Sequence, residues 1–134
     1  MSLDPLLQAS PAIQAHAVAA LAAFALGIMQ LAGVKGGARH RVIGWSWVAA
    51  MAVTAASGFF IQEIIPGAFS PIHLLSLMVL VLLPVAIVAV RRGRVRTHRM
   101  TMIGMFAGGL IIAGLFTLLP GRIMHALVFG PVVP

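Results

Sequence analysis

Four of the five histidines in this chain recur at one kind of position: His16, His40, His73 and His98 each fall within about one turn of the N-terminal end of an apolar stretch. If successive stretches run in opposite directions, His16 and His73 share one level and His40 and His98 the other. Two imidazoles on different helices, facing one another, supply what a six-coordinate haem iron takes, one nitrogen above the ring and one below. The spacing therefore points to haem b, one or two per chain, with these four histidines as iron ligands and electron transfer between the two levels as the chemistry. Ala19, Ala20, Ala23 and Gly27 follow His16 with small side chains, and Gly44 lies one turn from His40. Arg39, Arg41 and Arg99, beside the second pair, are placed to hold haem propionates. Met102 and Met105 crowd the face of His98.

A competing account exists for two of the four. An imidazole is amphipathic and common at membrane boundaries, so His40 and His98, which stand among arginines, need no special cause. His16 and His73 lie deeper in apolar sequence, where a polar ring is costly and a functional role is the default reading. A further grouping is expected at the level of His16 and His73, where Glu63, His125 and Arg122 complete a polar cluster suited to zinc or another divalent ion, or to proton relay. The eight methionines are scattered and read as packing. With no cysteine, thiolate metal sites, iron–sulfur clusters and disulfides are excluded. Asp4 and Glu63 are the only carboxylates, and there is no nucleophile elbow or phosphate-binding glycine loop, which sets aside soluble-type hydrolase and kinase chemistry.

The elements that carry these residues are membrane helices. A chain of 134 residues that is 61% hydrophobic and only 8% charged lies in the membrane class. Apolar runs at 13–34, 42–65, 71–90 and 100–119 are each long enough, at ~1.5 Å per residue, to cross a hydrocarbon core of roughly 30 Å. Between them lie two basic stretches, Lys35 to Arg41 and Arg91 to Arg99, which hold eight of the nine lysine and arginine residues. Read as loops, both belong on the cytoplasmic side, with both termini outside. The net charge of +7 is confined to these stretches, so its partner is the anionic inner leaflet and not nucleic acid. Because the opening residues lack a basic n-region, the first span is expected to be retained.

The expected fold is all-α, a single domain over 1–134 forming an up-down four-helix bundle in the bacterial inner membrane. The two halves look like a tandem repeat of a helical hairpin, each with a basic stretch closing in His-Arg. Trp45 and Trp47 mark the inner end of the second span, Glu63 falls in its last turn, and Pro84 kinks the third span. Gly104 and Gly108 give the fourth span a close-packing face, as Ala19, Ala23 and Gly27 do the first. Arg122 to Phe129 is too short to cross and is expected to lie in the outer interface or fold back.

On the first-span histidine, His40-Arg41-x-x-Gly44 and His98-Arg99-x-x-Met102, the chain resembles a family of four-helix bacterial membrane proteins catalogued as a domain of unknown function. That resemblance implies fold and topology and carries no activity. A looser similarity, to di-haem b-type cytochromes of bacterial inner membranes, implies paired histidines near the two faces and exchange of electrons with quinone or a small oxidant; quinone or a membrane protein is the expected partner. Two other functions stay open beside it. One is a redox-silent accessory or scaffolding subunit of a larger membrane complex, against which a stable, partner-free homo-oligomer would count, and the other is a small ion-binding transporter; a homo-oligomer stays open as the assembly.

Overall fold

Two Ser-Pro pairs write helix starts into the chain. Ser10 accepts the Ile13 N–H on its hydroxyl, 3.4 Å away, and Pro11 follows at the first helical position. Ser70 and Pro71 open a later helix, where the His73 N–H bonds the Ser70 carbonyl at 2.9 Å and Pro71 takes the first helical position. The computed structural model describes residues 1–61 and 68–130, and its regular elements are helical, with no strand among the described residues. They are α1 (Asp4–Leu7), α2 (Pro11–Ala32), α3 (Ala38–Gly58), α4 (Pro71–Arg91), α5 (Val95–Met105), a π-helical segment (Phe106–Ile112), α6 (Ala113–Thr117) and α7 (Ile123–Phe129). The last span runs unbroken from Val95 to Thr117 through α5, the π segment and α6. It, α2 and α4 are each long and apolar enough to cross a membrane. α3 is as long, at 21 residues, but Ser46, Thr54, Ser57 and its basic first turn dilute its apolar character.

The basic stretches are less loop than their charge implies. α3 begins at Ala38, so Arg39, His40 and Arg41 are helical, and α5 begins at Val95, so Arg96, His98 and Arg99 are too. Only Arg92 to Arg94 separate α4 from α5. Gly93 makes that reversal at φ +73°, a conformation that costs a residue with a Cβ roughly 1–2 kcal/mol. The Arg94 N–H reaches back to the Ala89 carbonyl at 2.8 Å and the Gly93 N–H to Val90 at 3.1 Å, so the last carbonyls of α4 are satisfied within the turn. Charge forbids this tip from entering hydrocarbon but does not forbid helix, which is why helix extends into it.

Each long helix packs on the next, and the π segment closes the ring by touching α2, which leaves α2 diagonal to α4 and α3 diagonal to α5. Buried residues form stripes at helical spacing: Ile43, Trp47, Met51 and Ala55 on α3, and His73, Ser76, Val79, Leu83, Ala86 and Ala89 on α4. Met51, Met105, Phe106, Leu110 and Trp47 fill the centre. Trp47 thus points inward while Trp45 is 52% exposed, so only one of the two indoles is free for the headgroup level. α4 continues through Pro84 as one helix.

The small-residue faces differ. Gly27 is buried where a Cβ would overlap the Phe106 ring and stand 3.1 Å from Trp47 Nε1, so α2 does use its stripe for close approach. Gly104 and Gly108 have nothing within 4 Å of a Cβ position, and Gly109 alone faces the core, against Met51 and Val79. The expected packing face of the fourth span is therefore open within this chain. At the far end, α7 folds back on α1, where the Ser2 N–H meets the Leu127 carbonyl at 3.3 Å.

Gly27→Val is expected to lower stability by about 1–3 kcal/mol, since the added side chain would overlap the buried Phe106 ring. Gly104→Val, on the open face, is expected to leave it unchanged. Thermal unfolding of the two variants side by side in detergent checks the contrast; equal losses would contradict the described packing.

Candidate functional site

A carbonyl oxygen has no hydrogen to give, so any ring nitrogen bonded to one must carry the proton. This assigns three of the histidines. His16 donates from Nδ1 to the Thr54 carbonyl of α3 at 2.8 Å, with Ser57 Oγ at 3.2 Å beside it. His98 donates from Nδ1 to the Ala86 carbonyl of α4 at 2.9 Å. His125 donates from Nδ1 to the Leu118 carbonyl at 2.8 Å. In each neutral ring the Nε2 lone pair is left free, the arrangement in which a second partner orients an imidazole for a metal or a proton donor.

His73 has the opposite assignment. Its Nδ1 accepts the Ser70 N–H at 3.0 Å, three residues back, with Ser70 Oγ at 3.1 Å. The imidazole thus takes the place of the glutamate or glutamine that usually reaches back to a helix start. The proton then sits on Nε2, and the lone pair that would bind a metal is spent on the cap. The ring is 3% exposed and lies edge-on to Phe69, with centroids 5.2 Å apart. A cavity of about 210 Å³ lined by Phe59, Phe69, Leu74 and Leu77 adjoins it.

At the level of His16 and His73, α3 comes between the first and third spans. A Cβ on Gly58 would stand 2.6 Å from Ser76 Oγ and 3.7 Å from His16 Cε1, so three helices meet at a glycine there. Thr54 and Ser57 bond back into their own helix, to Ala50 and Val53. His125 is turned toward the end of its own span and ring-packed on Phe129 at 5.0 Å. Arg122 starts α7. α3 ends at Gly58, short of Glu63, which lies outside the described residues. Among the described residues no three histidines or carboxylates are grouped for a metal ion.

At the opposite end of the bundle the diagonal pair, His40 and His98, comes within electrostatic reach. Burial, then the neighbouring His98, then Lys35, lower the His40 pKa from its ordinary 6.5. His40 Nδ1 is buried and has no hydrogen-bond partner. The Gln30 amide of α2 holds the His40 carbonyl at 2.7 Å and fills the space over Gly44, 3.1 Å from a Cβ there. The space over Gly44 is thus taken by an amide that sequence spacing alone did not mark. Gln30 is the neighbour of His40 that the sequence hid, one polar side chain near the end of an apolar span.

The lowered pKa of His40 fixes a sign. Protons bind the unfolded chain better, so no penalty exists above 6.5, and one develops as pH falls below it toward the folded value. The protein is therefore expected to lose thermal stability between about pH 7 and pH 5. His40→Gln, facing the same His98, Lys35, Arg39 and Arg41, should flatten that loss. A wild-type melting temperature as flat as the variant's would contradict the assignment.

A sequence profile described as "Predicted membrane protein (DUF2306)" matches residues 13–129. Neither the curated proteins nor the solved structures contain a match to this chain.

Proposed function

We propose, from the premise that this chain belongs to the DUF2306 family of multi-pass membrane proteins, that it binds one b-type haem at its inner face, with His40 and His98 as the axial pair. One observation carries the reading: these two imidazoles lie on diagonal helices at one level, within reach of each other's charge, and one of them keeps a buried nitrogen with no partner. His98 is oriented by the Ala86 carbonyl so that Nε2 is available. A bound haem would supply one-electron redox chemistry. Around it Arg39, Arg41 and Arg99 would take the propionates, and the Trp47, Met51 and Met105 layer beneath would keep water from the bundle centre. Exchange of electrons with quinone or a partner protein in the bacterial inner membrane completes the proposal.

The outer pair is the weaker half of the four-histidine scheme. His16 offers a free Nε2, but the His73 lone pair serves the start of α4. A stoichiometry of one haem follows. Reduced-minus-oxidised visible spectra with haem quantified per chain test it: wild type should bind one, His98→Ala and His40→Ala none, and His73→Ala one. Loss of haem in His73→Ala with retention in His98→Ala would reverse the assignment, and a protein colourless after expression with haem would remove it.

A second reading is favoured by the open Gly104 and Gly108 face, which suits the flank of another membrane helix. In that reading the chain is an accessory subunit of a larger complex or a homo-oligomer. Gly104→Val/Gly108→Val should then abolish co-purification of the partner while the isolated chain stays folded.

A further inference from the structure

On the outer flank of the α4–α5 hairpin runs an open groove of about 590 Å³, apolar along Leu80, Pro84 and Val88 and basic at one end, where Arg92, Arg94 and Thr97 close it. From Leu80 to Arg92 the helix advances by about 18 Å, somewhat more than half of a ~30 Å hydrocarbon core, which is the depth of one leaflet. A groove with an apolar floor one leaflet deep and two guanidinium groups at its mouth has the shape and charge of an acyl chain joined to an anionic headgroup. We propose that it is a specific site for one anionic phospholipid of the inner leaflet, with the phosphate held by Arg92 and Arg94 and an acyl chain along Pro84 and Val88.

Three features favour this occupant. Both arginines are exposed, and the one carboxylate side chain among the described residues, Asp4, belongs to α1 at the other end of the bundle, so no internal partner competes for them. The Gly93 turn, closed by the Arg94 to Ala89 and Gly93 to Val90 hydrogen bonds, fixes the two side chains on either side of one reversal. A guanidinium fork binds a phosphodiester through two parallel hydrogen bonds, which makes the pair more than diffuse charge. Val85 and Val88, each 45% exposed, leave the groove open to the bilayer for the chain to enter. The site is separate from the His40 and His98 pair, so it stands or falls apart from the haem reading.

Native mass spectrometry of the full chain, released from nanodiscs containing equal phosphatidylglycerol and phosphatidylcholine, tests it. Wild type should retain one phosphatidylglycerol with a preference of roughly 30-fold, the factor two arginine contacts supply. Arg92→Gln/Arg94→Gln should lose the preference, and Arg91→Gln/Arg96→Gln, equal in charge but outside the groove lining, should keep it. Val85→Trp, which fills the groove without altering charge, should lower retention while the circular dichroism stays helical. Equal loss in both arginine pairs would reduce the site to general surface charge and overturn the proposal. Retention of phosphatidylcholine equal to phosphatidylglycerol, or displacement of the lipid by millimolar inorganic phosphate, would overturn it as well.

Discussion

The Phe106 ring lying on Gly27 closes the ring of helices, and the remaining spacings follow from it. In a bilayer, lipid tails are as apolar as side chains, so helices associate through van der Waals fit and not through escape from water. A glycine on α2 lets the π segment approach until the Phe106 ring meets helix backbone, with Phe24 stacked beside it at 5.8 Å. That approach draws the fourth span across from α3 and leaves room at the centre for Trp47, Met51 and Met105. The same closure makes α2 and α4 diagonal. It is also why His16 meets α3, at the Thr54 carbonyl, while His98 meets α4, at the Ala86 carbonyl.

Within that frame the chemistry of each imidazole is decided by which backbone group its ring reaches. His16, His98 and His125 meet carbonyls and must donate from Nδ1, which leaves Nε2 with the lone pair in the neutral ring. His73 meets an N–H and must accept. Identical residue types at similar points of four helices thus divide into potential ligands and a helix cap. The difference comes from the residues before them: Ser70 and Pro71 place a free N–H within reach of His73, whereas His98 stands a turn into its helix with the neighbouring α4 backbone at hand.

This division was beyond the sequence, though much of the frame was legible in it. Apolar runs, serine caps and prolines located α2 and α4 to within two residues, because the helix starts are set by local hydrogen bonding. The basic stretches misled, since charge reports exclusion from hydrocarbon and says nothing against helix, and α5 starts five residues before its apolar run. Pairing of the glycine faces was equally hidden. Gly27 and Gly104 look alike in one dimension, and only the closure of the ring makes one an interior contact and the other an open flank. Gln30 stood in plain view, but its reach to His40 across two helices is a tertiary fact.

The Gly93 turn ties Arg91, Arg92, Arg94, Arg96 and Arg99 to the rigid tip of a helical hairpin. Charge held this way moves as one body or not at all. Were the tip on the negative side of an energised membrane, each arginine carried across would oppose the field by ~2.3 kcal/mol per 100 mV, and five together by roughly 11.5 kcal/mol. The transmembrane voltage of the living cell would therefore act as a lock on the orientation of the bundle, added to the cost of desolvation and released only when the membrane is discharged.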